Sequence, residues 1–345
     1  MSPSFTERAR WWSYRRQRLG RAAADAGEAL REVVGVYSSH PSAPLTLAAR
    51  CELDADAFNS LDALRLPAMR GSVFLLPAET AHLAFRAVRE PGSRRSYVLK
   101  YFGLSAAEYE KRKRKVVKAA VKEPLTAKEL RAITGVEKES MLVSLMCRDG
   151  VLRRVGAEGL RSNQLRYVAA DVPEADPEEA LAWLAGEYLS AFGPARVEDF
   201  TWWSGAPPKA AKAALATLET VEVEDGHLLL SKDRAAYGRV KPVPKDAVDV
   251  LPKWDAYTMG YPADGRARLV DAKHQGRLYD FRGDGLGAVL VAGRAVAAWT
   301  SRFKGRRMDV SLDPFRRLAA SERDAMRERF QRIGSLLDAS EARIS

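Results

Sequence analysis

Between residues 123 and 170, the spacing of apolar and polar positions predicts two short helices followed by a β-hairpin. Thr126, with Glu129 three positions later, has the spacing of a capping box, so a helix is expected to begin there. A second helix is expected over about 137–148, where apolar side chains recur at helical spacing. A hairpin over 151–169 follows. Two helices and a hairpin in this order are typical of a winged helix-turn-helix.

The same order recurs further along the chain. Three helices and a hairpin are predicted there, over 181–193, 196–205, 207–219 and 221–230. The hairpin is expected to turn at Asp225–Gly226, a dipeptide typical of tight β-turns. Trp202 and Trp203 occupy helical positions and are expected in the core rather than as platforms for stacked bases.

The first 118 residues are predicted to form a larger and less regular version of this unit. Helices are expected at about 5–20, 26–36, 42–50, 55–64, 78–89 and 103–121, with a strand in MRGSVFLLP (69–77). From about residue 241 the spacing changes to that of strands and turns. A hairpin around Ala292–Gly293, a strand at 306–315 and a final helix at about 318–337 are expected there.

Together these patterns predict an α+β fold with three tandem winged-helix units and a C-terminal β-rich portion, arranged as a clamp for duplex DNA. A chain of 345 residues is long enough for several compact units. The expected boundaries are 1–118, 119–171, 172–240 and 241–345.

Composition narrows the class of protein. Hydrophobic residues make up 46% and charged residues 29%, which is ordinary for a folded chain. The first residues lack the apolar core of a signal peptide, and no apolar run approaches the roughly 18 residues that a membrane helix needs. A cytoplasmic protein without a membrane partner is therefore expected. Cys51 and Cys147 lack metal-site spacing and are expected to be small buried hydrophobes, so neither a metal nor another cofactor is predicted.

Charge is distributed unevenly along the chain, whose net charge is +11. Residues 1–118 carry +9 and residues 241–345 carry +6, whereas residues 172–240 carry −6. Because a phosphate backbone attracts the basic segments and repels the acidic one, duplex DNA is the predicted partner and the acidic unit the predicted scaffold. Candidate phosphate-binding side chains in the basic run, the hairpin of the second unit and the last segment are Lys111, Arg112, Lys113, Arg114, Arg153, Arg154, Arg302, Lys304, Arg306 and Arg307.

Seven stretches of the chain also resemble, in order and spacing, the bacterial tandem winged-helix DNA glycosylases, which include the azinomycin-resistance and crosslink-repair glycosylases. They are GVYSSHPSAPLTLAAR (35–50), MRGSVFLLP (69–77), PLTAKEL (124–130), DFTWWSG (199–205), VLPKWDAYTMGY (250–261), AVLVAGRAVAAW (288–299) and DVSLDPFRRL (309–318). Arg50 and Arg70 lie in matched stretches. Each is a candidate for phosphate contact, with a buried structural ion pair as the alternative.

The resemblance implies a monomeric clamp around duplex DNA that hydrolyses the N-glycosidic bond of alkylated or bulky-adducted bases, including crosslinked ones, in base excision repair or genotoxin resistance. It implies no cofactor. Such hydrolysis passes through a sugar oxocarbenium ion, so the site needs polar groups that position water and stabilise positive charge. The alternative is a winged-helix protein that binds DNA without cutting it, either as a lesion binder or as a transcription regulator.

The sequence departs from the family at the position where the resemblance places its chemistry. When Gly35 and Pro41 are matched, the two family glutamines fall on Tyr37 and Ser39, and His40 precedes the proline. Three interpretations stay open. These three residues form an altered catalytic set, a carboxylate elsewhere in the first domain replaces the glutamines, or the protein binds DNA without catalysis. Many members also have histidine where Phe74 stands here.

Overall fold

A computed structural model describes residues 3–39, 41–88, 93–136, 139–156, 159–164 and 166–345. Its helices are α1 (Phe5–Arg16), α2 (Ala26–Glu32), α3 (Ser42–Ala48), α4 (Ala55–Asn59), α5 (Ala81–Ala87), α6 (Ser93–Tyr101), α7 (Ala106–Ala120), α8 (Ala127–Thr134), α9 (Glu139–Arg148), α10 (Pro177–Phe192), α11 (Val197–Ser204), α12 (Pro208–Ala216), α13 (Arg234–Gly238), α14 (Gln275–Leu278) and α15 (Ala320–Leu336).

The strands belong to three sheets. They are β1 (Val36–Tyr37), β2 (Ala63–Pro67), β3 (Val73–Pro77), β4 (Leu125–Thr126), β5 (Leu152–Val155), β6 (Arg166–Ala169), β7 (Thr220–Glu224), β8 (His227–Leu230), β9 (Val248–Leu251), β10 (Gly287–Val291), β11 (Arg294–Lys304), β12 (Arg307–Pro314) and β13 (Glu341–Ile344). The fold is thus a mixed α+β fold, as the sequence predicts.

One connectivity occurs three times: a helix, an extended segment, two helices and two antiparallel strands, with the first extended segment paired to the last strand. The first copy runs from α2 to β3, with β1 beside β3, and the second runs from α7 to β6, with β4 beside β6. In the third copy, from α10 to β8, a single bridge between Ala195 and Leu228 replaces the first strand. The repeated unit is therefore built from the same parts at three places in the chain.

The first two copies share one sheet. Its strand order is β1-β3-β2-β5-β6-β4, and the two halves are joined by antiparallel pairing of Arg65 with Arg154. The sequence does not predict this junction, because the paired residues lie in different predicted domains.

Two hydrophobic cores divide the molecule differently from the four predicted domains. A large core is continuous through the first copy, the third copy and the C-terminal portion. A second core, which includes Val98, Tyr109, Val116, Leu142 and Tyr167, belongs to the second copy together with α6. Helix α7 crosses the expected boundary between residues 118 and 119, and its buried side chains belong to the second core. The structure therefore starts the second unit before α7.

The C-terminal portion is a five-stranded sheet ordered β13-β12-β11-β10-β9, against which α15 packs. Its central hairpin turns at Ala292 and Gly293, which have φ of +50° and +76° as a tight turn requires, and this confirms the predicted turn. Strand β13 runs parallel to β12 and was not predicted from the sequence.

Short-range sequence signals correspond closely to the structure. The Thr126–Glu129 capping box is formed at the start of α8, and Asp225 and Gly226 have the positive φ of a two-residue hairpin turn. The prediction of a helix over 55–64 is wrong at its C-terminal end. It stops at Asn59 because Ala63 and Leu64 pair with β3 as part of β2.

The predicted burial of three side chains is confirmed: Cys51, Cys147 and Trp203 are all buried. Trp202, also predicted in the core, is only partly buried, packed against the core at its edge. In the parts of the chain that the structure describes, none of the helices combines the length and the apolar character needed to cross a bilayer.

Candidate active site

Left-handed backbone conformations surround Tyr37. Val34 precedes its strand with φ of +60°, Arg70 has φ of +53° and Trp254 has φ of +61°. Such conformations are unfavourable for side chains larger than glycine and persist only where the surrounding structure imposes them. Gly35 has φ of +93°, and a Cβ added there would lie 2.8 Å from the Leu75 carbonyl oxygen. The backbone is therefore closely constrained where it places Tyr37.

Tyr37 lies in an aromatic cluster, with its hydroxyl bound to a cation. Its ring centroid is 4.5 Å from that of Phe74 and 6.3 Å from that of Trp254. The Arg70 guanidinium donates a hydrogen bond to the Tyr37 hydroxyl oxygen. Burial raises the pKa of Tyr37, and the charge and hydrogen bond of Arg70 oppose that shift. Tyr37 is therefore a neutral hydroxyl at pH 7 and not a base.

Arg70 connects the first copy of the repeated unit to the third. Its guanidinium carbon lies 4.1 Å from the centroid of the Trp202 ring on α11, within the range of a cation–π contact. Gly205 ends α11 so close to this turn that an added Cβ would lie 3.1 Å from the Arg70 Cα. On the second copy, Arg148 donates to the Gly71 carbonyl at 2.8 Å. All three copies thus meet at the turn formed by residues 69–71.

The C-terminal portion completes the cluster. The Arg266 guanidinium lies 5.7 Å from the Trp202 ring and 3.6 Å from the Tyr279 ring, and it donates to the Gly283 carbonyl at 3.0 Å. Residues 280–285 form a turn beside these contacts, with Phe281 at its tip and 92% exposed. Alternating cations and aromatic rings therefore run from Tyr37 across to this turn.

Two of the three predicted catalytic residues can be described. Tyr37 is at the centre of the cluster, and Ser39 lies partly buried next to it, where its carbonyl accepts a hydrogen bond from Ala43 at the start of α3. His40 lies outside the described residues. The role of all three in catalysis stays a prediction.

The prediction that Arg50 contacts DNA is wrong. Arg50 is fully buried and donates two hydrogen bonds of 2.9 Å to the carboxylate of Asp255, a further one to the Thr46 carbonyl and one to Gln17. A side chain with no solvent-accessible surface cannot reach a phosphate. Arg50 therefore stabilises the junction of α1, α3 and the C-terminal portion, as the alternative interpretation held.

The basic run on α7 divides into bound and exposed side chains. Arg112 donates to the Thr134 carbonyl, and Lys113 lies 2.7 Å from a carboxylate oxygen of Glu110. Lys111 and Arg114 are exposed. The two exposed side chains are accordingly the better placed for phosphate contact.

The other predicted phosphate-binding residues fall into a similar pattern. Arg153 is partly buried. The guanidinium of Arg154 lies 6.0 Å from the centroid of the Tyr167 ring. Arg154 also lines a cavity of about 630 Å³, together with Arg94 and Arg148. On the C-terminal hairpin, three basic side chains have acidic neighbours: Lys304 and Arg307 lie near Asp309, and Arg306 near Asp338. Arg302 is exposed and has no ion pair within the described residues.

Sequence reasoning did not place Trp254, Arg266, Phe281 or Asp284 near Tyr37. The stretch 250–261 was recognised only as part of the resemblance, and nothing in its spacing showed that Trp254 would face β1. One local signal in the sequence could have indicated an exposed aromatic residue. Phe281 lies between the charged residues Asp280 and Arg282, which are typical of a polar turn at the surface.

Comparison with known proteins agrees with this architecture. The DNA glycosylase AlkZ of Streptomyces sahachiroi has a similar structure, with a TM-score of 0.78, 20% sequence identity and full coverage of both chains. Among curated proteins, no sequence matches this chain. The model of the AlkZ-like DNA glycosylases matches residues 31–336, so the chain belongs to the AlkZ-like DNA glycosylase family. Membership makes DNA its partner and DNA repair its general role.

Proposed function

We propose that this protein hydrolyses the N-glycosidic bond of alkylated or bulky-adducted bases in duplex DNA, in base excision repair or resistance to a genotoxin. The observation that carries the proposal is the position of the Tyr37–Arg70–Trp202 cluster. It lies where the matched family motif falls and where the three copies of the repeated unit meet. Membership in the glycosylase family supports the reaction class.

The three repeated copies act, in this proposal, as winged-helix units that enclose DNA as a monomeric clamp. Each has the helix–strand–helix–helix–hairpin order of a winged helix, with the first extended segment paired to the last strand. The third copy is acidic and packs into the large core, so its role is to hold the other units in place. Exposed cations such as Lys111, Arg114 and Arg302 neutralise phosphates.

Within the site, Tyr37, Ser39 and His40 have the catalytic roles. The neutral Tyr37 hydroxyl positions water by hydrogen bonding, Ser39 adds a second hydroxyl, and His40 is able to accept a proton near pH 7. Arg70 holds the Tyr37 hydroxyl in a fixed orientation. Its positive charge favours a nearby phosphate over an oxocarbenium ion, so Arg70 positions the DNA and Tyr37 and does not stabilise the sugar cation.

The first prediction tests base excision itself. The purified protein is incubated with duplexes that contain 7-methylguanine or a bulky N7 adduct, and abasic sites are revealed by alkaline strand scission. We expect strand scission only at the lesion, reduced about tenfold or more in Tyr37→Ala or His40→Gln and less in Ser39→Ala. Absence of abasic sites over the whole lesion panel, with DNA binding intact, would contradict the proposal.

Binding without catalysis is the second candidate function, and one observation favours it. The Tyr37 hydroxyl is already hydrogen-bonded to Arg70, and neither Tyr37 nor Ser39 supplies negative charge at the family motif. Footprinting distinguishes the two non-catalytic possibilities. Protection centred on a lesion indicates a lesion binder, whereas protection of a particular sequence in undamaged DNA indicates a transcription regulator.

A second prediction concerns the salt dependence of DNA binding. Arg302→Gln removes an exposed cation without an ion pair, whereas Arg307→Gln removes one that lies 2.9 Å from Asp309. Each neutralised phosphate contributes about −0.9 to the log–log slope of affinity against salt. We therefore expect Arg302→Gln to make the slope shallower by about 0.9 and Arg307→Gln to change it less. Equal slopes for the wild type and Arg302→Gln, measured by fluorescence anisotropy, would remove Arg302 from the DNA interface.

A further inference from the structure

The family motif lacks its polar amide or carboxylate groups in this chain, but a turn that carries a carboxylate, from a different part of the fold, is attached to the aromatic cluster around Tyr37. Asp284 belongs to the turn 280–285, between α14 and β10. The next residue, Gly285, accepts a hydrogen bond of 3.1 Å from the Trp254 backbone N–H. The ring of Trp254 is in turn 6.3 Å from that of Tyr37. The turn is thus attached directly to the aromatic cluster.

The turn holds Asp284 in a fixed place. The Asp280 carboxylate accepts hydrogen bonds from the backbone N–H groups of Arg282 and Asp284, at 2.9 and 3.0 Å. The Asp280 N–H donates to the Asp284 carbonyl at 3.0 Å. Gly285 is so tightly enclosed that an added Cβ would lie 3.1 Å from Thr258 Oγ1. The backbone that carries Asp284 is therefore bound on both sides and fixed in place beside the cluster.

The Asp284 carboxylate is available, whereas those of its neighbours are occupied. Asp255 is fully buried in its ion pair with Arg50, and Asp280 is bound to backbone amides of the turn. Asp284 is partly exposed, and within the described residues its carboxylate accepts no hydrogen bond and forms no ion pair. Its charge nevertheless acts on Tyr37, where it raises the pKa of the hydroxyl. A negatively charged side chain on a turn that is hydrogen-bonded to Trp254 of the aromatic cluster is the group that the motif itself lacks.

We infer that Asp284 is a catalytic residue of this site, where it stabilises the sugar cation and accepts a proton from the attacking water. The inference rests on the proposed function and deepens it. It also differs from the expectation of a carboxylate within the first domain, because Asp284 comes from the C-terminal portion.

The step balances without a further reactant. The water oxygen bonds to C1′ of the deoxyribose while the bond from C1′ to the base nitrogen breaks, and the bonding electrons leave with the base. A purine alkylated at N7 is cationic and departs as a neutral base, so it needs no proton from the protein. One proton of the water passes to Asp284 and then to solvent.

The test uses Asp284→Asn in the full chain, since the amide has the same shape without the charge. Asp246→Asn, an exposed aspartate outside the site, is the matched control for the change in net charge. On a 7-methylguanine duplex, we expect Asp284→Asn to slow base release about 100-fold, within the range of general-base catalysis, and Asp246→Asn to leave it unchanged. A rate within twofold of the wild type for Asp284→Asn would overturn the assignment.

A binding experiment tests the same residue independently of turnover. Two duplexes are compared, one with a cationic pyrrolidine analogue of the abasic sugar and one with neutral tetrahydrofuran. We expect the wild type to prefer the cationic duplex roughly tenfold or more, because opposite charges at short range attract strongly, and Asp284→Asn to lose that preference. A wild type without the preference, or an Asp284→Asn variant that keeps it, would overturn the assignment. Failure of the proposed function has a different signature, in which no lesion is excised although the preference for pyrrolidine is present.

Discussion

Arg50→Met is expected to lower the free energy of unfolding by about 3–5 kcal/mol, because it leaves the carboxylate of Asp255 buried without a counter-charge, with only the hydrogen bond from the Tyr257 backbone N–H remaining. The two side chains have no accessible surface, so water cannot replace the lost hydrogen bonds. Chemical denaturation followed by circular dichroism measures the loss. DNA affinity per folded molecule should stay unchanged, since Arg50 does not reach the surface.

Two controls make this result specific. Arg343→Met removes an exposed ion pair with Glu341 and should leave the free energy of unfolding nearly unchanged, because water solvates both charges in its absence. The double variant Arg50→Met/Asp255→Asn removes both buried charges and should recover part of the stability. A single Arg50→Met variant as stable as the wild type would show that the pair does not hold this junction together.

Gly35→Ala is expected to disturb both folding and activity. The backbone there has φ of +93°, and the added Cβ would lie 2.6 Å from Leu76 Cδ2 as well as 2.8 Å from the Leu75 carbonyl oxygen. Left-handed strain and overpacking each cost about 1–3 kcal/mol. Because Val36 and Tyr37 follow directly, relief of the clash must shift β1 away from β3. Base release should therefore fall further than the loss of folded protein explains.

The matched control for Gly35 is Gly226→Ala. Gly226 also has a positive φ, of +72°, but no atom lies within 4 Å of its added Cβ. This variant should lower the free energy of unfolding by about 1–2 kcal/mol, the cost of the left-handed strain alone, and should leave activity per folded molecule unchanged. If Gly35→Ala and Gly226→Ala lost equal stability and both kept their activity, the close approach of β1 to β3 would have no functional role.

The features that could be predicted from sequence depend on residues close together in the chain. The Thr126–Glu129 cap and the Asp225–Gly226 turn each use residues within four positions, so their physics is local. By contrast, Arg50 and Asp255 are 205 positions apart. No pattern of spacing indicates which buried acid will meet which arginine, and both phosphate contact and a buried pair therefore stayed open for Arg50.

The candidate site shows the same division. The resemblance identified Tyr37 and Ser39 as candidates, because a matched motif shows which positions in the chain correspond to the family's site residues. It did not show that Trp254 would lie beside Tyr37, or that the turn with Asp284 would be attached to Trp254, because both depend on the packing of the C-terminal portion against the first unit. Arg70 was proposed for phosphate contact, but its stacking on Trp202 depends on the close approach of α11 to the turn at residues 69–71. Tertiary packing, which local propensity does not encode, decides these contacts.

The separate core of the second unit has a mechanical consequence. Most buried apolar side chains between residues 93 and 169 form a core of their own, although Leu160 belongs to the large core. The sheet of this unit continues into that of the first unit through one residue pair, Arg65 with Arg154. A body with its own core can rotate without exposing the interior of its neighbour. We therefore expect this unit to rotate about the Arg65–Arg154 pair, with the hydrogen bonds from Arg148 to Gly71 and from Arg161 to Gly305 broken as it moves. The aromatic cluster around Tyr37, built on the larger core, stays still while a duplex enters.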